Sequence, residues 1–307
     1  MILKGTYPVL CTPFKDDGVI SDTDFDRLID YVVACGADGC VYPGVASEVD
    51  TLSAEERATM IARLGERLAG RIPFVVGASA AAPEEVLEHI KTGAAAGASA
   101  AMVMAPGALG QDVAAQSAFF NEIAAASPIP IMLQNAPVPI GAGLSPESVS
   151  VIVRDIANVL YVKEETMPCG QNLSRISKAC GDTILGVFGG AGGRYITDEL
   201  ARGSLGTMPA AEFTDLHVKL VNAWLDGQET EARRLFMVMM PALNFQAIFR
   251  MQMTKETLRQ RGVLEHTFVR GKGPRMDQGD RNELAALLGQ LTGELSKYPL
   301  TTLQAAE

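Results

Sequence analysis

The chain has 307 residues, 48% of them hydrophobic and 20% charged, with 30 glycines and 16 prolines. That composition excludes a disordered, collagenous or small disulfide-stapled chain and is ample for a large core. A net charge of −10 repels polyanions overall and argues against nucleic acid or an anionic membrane surface as a partner.

Short apolar, β-prone runs recur in order over residues 7–12, 39–42, 73–76, 101–104, 129–133, 159–162, 184–187 and 205–208. Helical periodicity fills the intervals, as over 24–34 and 54–68. The spacing, roughly 20 to 35 residues, is that of a βα unit. Helix starts are marked by Ser21 with Asp24, by Ser53 with Glu56, by Pro83 and by Ser145-Pro146-Glu147. A continuous apolar run such as Ile129-Pro130-Ile131-Met132-Leu133 implies burial on both faces, as in a parallel sheet covered by helices.

These units fit a closed (β/α)8 TIM barrel over 1–210, followed by the last barrel helix and a C-terminal helical extension over 211–307. Helices are expected over 213–225, 229–240, 254–260 and 281–295, with apolar stripes that include Trp224, Phe236 and Met239 facing the barrel or a subunit contact. The competing open doubly wound sheet normally carries a glycine turn after its first strand, where this chain has Thr12-Pro13-Phe14. The Ala/Gly-rich stretch 92–109, broken by Pro106, suits a soluble helix and a buried strand rather than a membrane span.

Five cysteines, Cys11, Cys35, Cys40, Cys169 and Cys180, form no CxxC pair, and no positively charged segment leads into a long apolar one near Met1, so the reducing cytoplasm is the expected compartment. Arg259, Arg261, Arg270, Lys272, Arg275 and Arg281 are interleaved with Glu265, Asp277 and Asp280 and read as a solvated loop rather than a nucleic-acid patch. His89, His217 and His266 lie in no metal-binding pattern, and the first two are expected on helix surfaces. No metal or cofactor is expected.

Catalytic groups of a (β/α)8 barrel project from the C-terminal ends of its strands. The candidates there are Thr12, Gly44, Ser47, Glu48, Ser79, Gln134, Asn135, Lys163, Glu165 and the stretch 189–193. Lys163, after Val159-Leu160-Tyr161-Val162, places an amine at the mouth of an apolar barrel, where desolvation disfavours the charged form and frees a lone pair for attack on a carbonyl. The plainer alternative is a lysine paired with Glu164 or Glu165.

Thr12-Pro13-Phe14, then Gly44-Val45-Ala46-Ser47-Glu48, then Gln134-Asn135-Ala136-Pro137, then Tyr161-Val162-Lys163-Glu164 resemble the dihydrodipicolinate synthase and N-acetylneuraminate lyase family. The resemblance implies that Lys163 forms an imine with a small 2-oxo acid and that the chain is a homo-oligomer, dimer or tetramer. It also implies that the turn after the second strand holds the substrate carboxylate. Val45 and Ala46 stand where that family carries hydroxyls, which leaves Ser47 and the turn amides, Ala46 included, to do this. Gln134 replaces a family tyrosine, the tyrosine of the loop after the fourth strand has no counterpart in Pro106-Gly107-Ala108-Leu109, and the arginine that synthases carry after the fifth strand is missing from Val138-Pro139-Ile140. Dihydrodipicolinate synthase activity is therefore not expected.

Gln134-Asn135-Ala136-Pro137, Ser47-Glu48 and Lys163-Glu164-Glu165-Thr166 are similar instead to 2-keto-3-deoxy-arabonate dehydratases of that family. The expected reaction is dehydration of a 2-keto-3-deoxy sugar acid, with retro-aldol cleavage or a non-catalytic binding barrel as alternatives. Glu165 is the candidate acid or base, or else a partner that orients Lys163; Gln134 and Asn135 are candidate substrate ligands, with Gln134 pointing inward. Tyr42 and Tyr195 are the phenols available as a substitute acid. Gly190, in the glycine run after the seventh strand, is a candidate contact for the substrate, a phosphate included.

Overall fold

A computed structural model describes residues 2–298; residues 299–307, at the end of the expected helical extension, lie outside it. The strands are β1 (Gly5–Thr6), β2 (Cys40–Tyr42), β3 (Phe74–Gly77), β4 (Ala100–Met104), β5 (Ile131–Asn135), β6 (Val159–Glu164), β7 (Gly186–Gly189) and β8 (Gly206–Thr207). All pair in parallel, in the order β1-β8-β7-β6-β5-β4-β3-β2. Helices α1 (Asp22–Ala34), α2 (Ala54–Leu68), α3 (Pro83–Ala95), α4 (Val113–Ala126), α5 (Pro146–Asp155), α6 (Cys169–Cys180) and α7 (Ile196–Ala201) fill the crossovers. The fold is the expected TIM barrel.

The first strand differs from its expected span. Its regular ladder covers only Gly5–Thr6, but Val9 bridges Val41 on one side and Ala210 on the other, and Leu10 N donates to Val41 O at 3.0 Å. The prolines at 8 and 13 remove donors and break a continuous ladder, yet these single bridges still join the two ends of the sheet.

Alternation along each strand builds two cores. Val41, Val75, Met102, Met132, Tyr161 and Phe188 fill the barrel, while Tyr42, Val76, Val103, Leu133 and Val162 pack under the helices. The expected caps form: Ser21 and Ser145 accept from Asp24 N and Ser148 N, and Ser53 and Glu56 make a reciprocal capping box.

After β8 come α8 (Thr214–Leu225), α9 (Glu229–Phe249), α10 (Met251–Gln260) and α11 (Gln278–Leu291). They form a third core around Leu216, Leu220, Leu235, Met239 and Leu284. Helix α9 runs through Pro241, where the periodicity predicts a stop near Met240; burial of Met239, Ala242 and Leu243 on its inner face offsets the lost backbone hydrogen bond. Among the described residues no helix is long and apolar enough to cross a membrane.

The basic run is not a solvated loop. Arg261 pairs with Asp215 at 2.7 Å, Arg270 with Glu56 at 2.6 Å, and Arg259 and Arg281 both with Glu256, so most of its arginines fasten the tail to itself and to the barrel. His217 is likewise buried rather than on a helix surface, its Nδ1 3.0 Å from Phe213 O.

Candidate active site

A cavity of about 270 Å3 opens at the C-terminal ends of the strands. Strand β6 carries Lys163 into it. Tyr161 lies in the inner core, so period two turns Lys163 inward and Val162 and Glu164 outward. Glu164 therefore serves the helix layer, accepting from Asn135 Nδ2 at 2.8 Å and from Thr166 N at 2.7 Å; burial pushes its carboxyl up to about 7.

Lys163 is 4% exposed, and its Nζ lies 3.3 Å from Glu165 Oε1. The extended path continues one residue past the ladder, because Glu165 N donates to Asn135 O at 3.0 Å. The Glu165 carboxylate has two further donors: Gln134 Nε2 reaches Oε2 at 2.7 Å, and Ala191 N reaches Oε1 at 3.0 Å. Burial alone raises this carboxyl, but the Lys163 charge and these hydrogen bonds together outweigh it and hold it below the ordinary carboxylate range. Of the two readings of Lys163, a desolvated amine or one paired with Glu164 or Glu165, the geometry has the amine paired with Glu165; attack on a carbonyl requires a proton to leave Nζ, and Glu165 is the acceptor in reach.

Gln134 lines the cavity beside Lys163, its register partner. Asn135 does not. Its Oδ1 accepts from Leu144 N at 2.9 Å and its Nδ2 donates to Leu144 O and Glu164, so Asn135, a candidate substrate ligand, lies off the cavity and braces the loop after β5, with Gln134 the one of the two that points inward. Period two makes the neighbours Gln134 and Asn135 face opposite ways.

Ser47, a candidate ligand of the carboxylate, does not line the cavity either. Its Oγ donates to Leu10 O at 2.5 Å and accepts from Gly44 N at 2.8 Å, fully buried within the turn after β2. Val45 and Ala46 line the cavity instead, and as the first residues of a 3-10 turn their amides have no acceptor within it. Gly190 does not line the cavity: a Cβ there would lie 2.4 Å from Glu165 Oε1, so its place is to admit that carboxylate, while Ala191 and Gly192 form the wall. Tyr42 bonds Thr12 and packs on Phe25 outside the barrel, and Tyr195 lies off the cavity, so neither phenol reaches the site. Among the described residues no tyrosine lines it.

The rest of the wall was not legible as site residues. Arg194 follows β7, and Gln246, Arg250, Met251 and Thr254 come from the α9–α10 junction, which lies across the mouth. The junction bends at Arg250, a non-glycine residue with φ 46, which no local sequence pattern announces.

The sequence matches the dihydrodipicolinate synthetase family over residues 2–291. The chain belongs to this family, whose members are lyases. It is 28% identical over 292 residues to the L-2-keto-3-deoxyarabonate dehydratase of Azospirillum brasilense, covering 94% of each chain. It is 30% identical over 236 residues to the 4-hydroxy-tetrahydrodipicolinate synthase of Methanothrix thermoacetophila, covering 76% of this chain and 78% of that one. In structure it is similar to the dihydrodipicolinate synthase of Rhodopseudomonas palustris, with a TM-score of 0.87, 27% identity, and 94% and 98% of the two chains covered.

Proposed function

We propose that this family member is a Schiff-base lyase that removes water from a 2-keto-3-deoxy sugar acid. The observation that carries the reading is the buried Lys163–Glu165 pair on the wall of a cavity that also offers the free amides of the β2 turn for a carboxylate. Two further facts support dehydration over synthesis: the similarity to the Azospirillum dehydratase covers nearly the whole chain, and Gln134, with no cavity tyrosine beside it among the described residues, provides hydrogen bonds but no proton relay.

Glu165 accepts a proton from Nζ, and the amine attacks C2 of the substrate. The carbonyl oxygen takes one proton from the attacking nitrogen and one from Glu165 and departs as water, leaving Glu165 ionised again and a protonated imine that withdraws electrons from C3. Glu165 then takes a C3 proton, and the released pair forms an enamine. The enamine expels the C4 hydroxyl, which leaves as water with the proton Glu165 has just taken. Transfer of a proton from C5 to C3 converts the conjugated imine into a C4–C5 enol that tautomerises to a C5 carbonyl, and hydrolysis of the imine then returns Lys163 and frees the 2,5-dioxo acid.

Incubation with pyruvate and borohydride, followed by peptide mass mapping, tests the first step. A reduced adduct is expected on Lys163 and is absent from Lys163→Ala. Glu165→Gln is expected to form the adduct more slowly, water then taking the Nζ proton, and to reach it on long incubation, while turnover falls about a hundredfold or more. Formation of pyruvate and an aldehyde from the sugar acid, in place of a 2,5-dioxo acid, would establish retro-aldol cleavage. A folded protein that gives no adduct with any 2-oxo acid is a binding barrel and not this enzyme.

A further inference from the structure

The charged groups lining the cavity are Lys163, Glu165, Arg194 and Arg250, and Glu165 is already matched to Lys163. Neither arginine has a carboxylate partner among the described residues. Among the described residues Arg194 has one long hydrogen bond, Nη1 to Gln246 Oε1 at 3.4 Å, and the Arg250 side chain makes none. Most other arginines of the tail are in ion pairs with acids, so two guanidinium groups without a direct ion-pair partner on one cavity wall stand apart, although the Arg194 charge also acts on the buried Glu212 carboxyl.

Both are held where they are by unusual backbone. Gly192 has φ 68, and a Cβ there would lie 2.9 Å from Arg194 Nη1, so the guanidinium packs against a bare backbone. Arg250 is the bent residue between α9 and α10, at φ 46 and ψ −117. Lys163 is buried at the base, whereas Arg250 is exposed at the mouth.

We infer that Arg194 and Arg250 form a second anion-recognition point, so that the substrate is a 2-oxo acid bearing another negatively charged group, carboxylate or phosphate, on the end remote from C1. The inference rests on the Schiff-base reading above, since an imine at Lys163 fixes C2 and hence which end of the substrate reaches the mouth. The turn amides of Val45 and Ala46 take the C1 carboxylate, and the guanidinium groups, each a fork of N–H donors, take the far end.

Borohydride trapping on Lys163 tests it with three probes of similar shape: 2-oxoglutarate, 2-oxo-4-phosphonobutanoate, and 5-methyl-2-oxohexanoate, whose far end is uncharged. Half-maximal adduct is expected at about tenfold lower concentration for at least one charged probe than for the uncharged one. Which charged probe is trapped at the lower concentration distinguishes phosphate from carboxylate. In the Arg194→Gln/Arg250→Gln double variant the ratio is expected to fall to near one, and the corresponding lysine variants keep part of it. Equal midpoints for all probes in a wild-type protein that traps pyruvate overturn this inference and leave the imine standing; so does a preference that survives the double glutamine variant. Failure to trap even pyruvate overturns the imine and this inference with it.

Discussion

Lys255 Nζ lies 2.5 Å from Glu48 Oε1, with both side chains fully buried, and this pair ties helix α10 to the turn after β2. Glu48 also accepts from Gly271 N at 2.7 Å, and Lys255 donates to Phe268 O at 2.7 Å, so each charge has a second partner. One end of the arrangement adjoins the amides of Val45 and Ala46; the other belongs to the helix that supplies Met251 and Thr254 to the cavity.

Lys255→Met is therefore expected to cost about 3 kcal/mol or more, because Glu48 is left as an uncompensated buried charge. Replacing both residues with apolar ones recovers part of the loss. Urea denaturation of the three proteins checks this, and an unchanged midpoint in Lys255→Met would contradict it.

Gly190→Ala tests the placement of Glu165. The added Cβ meets Glu165 Oε1 at 2.4 Å and displaces the carboxylate from Lys163. Turnover should fall about tenfold or more while the folded circular dichroism spectrum is kept. Full activity in this variant would show that the observed Glu165 position is not required.

Gln134→Leu removes one of the hydrogen bonds that favour the ionised form of Glu165. Glu165 is held below its ordinary value of 4.5 in the folded chain, so it stays available as a base as pH falls through that point. The acid limb of kcat/KM should move to higher pH in the variant. An altered KM with an unmoved limb would assign Gln134 to substrate binding alone.

Glu199, on α7, is buried with no hydrogen-bond partner for either oxygen among the described residues, and burial pushes its carboxyl up to about 8. The native state keeps this proton between about pH 4.5 and 8 while the unfolded state has lost it, so stability from this group declines as pH rises across that window. Glu199→Gln should flatten the decline and stabilise the protein at pH 8 by on the order of 3 kcal/mol. Parallel stability–pH curves for the two proteins would refute this.

Much of the barrel is legible locally. Apolar runs spaced by helical periods, and caps such as Ser53 with Glu56, act over a few residues, and their sum leaves few architectures able to bury both faces of each strand. Lys163 and Gln134 are legible for the same reason: each sits one pleat beyond an inward apolar residue, Tyr161 or Met132.

Tertiary structure alone decided the remainder. Ser47 is turned from the cavity by a carbonyl 37 positions earlier, on Leu10, and Asn135 by the loop that returns through Leu144. Arg250 at the mouth is brought there by docking of helices whose anchor, Glu48 with Lys255, spans 207 positions. A side chain's direction depends on which acceptor reaches it first, and where that acceptor comes from a distant segment, no local pattern encodes it.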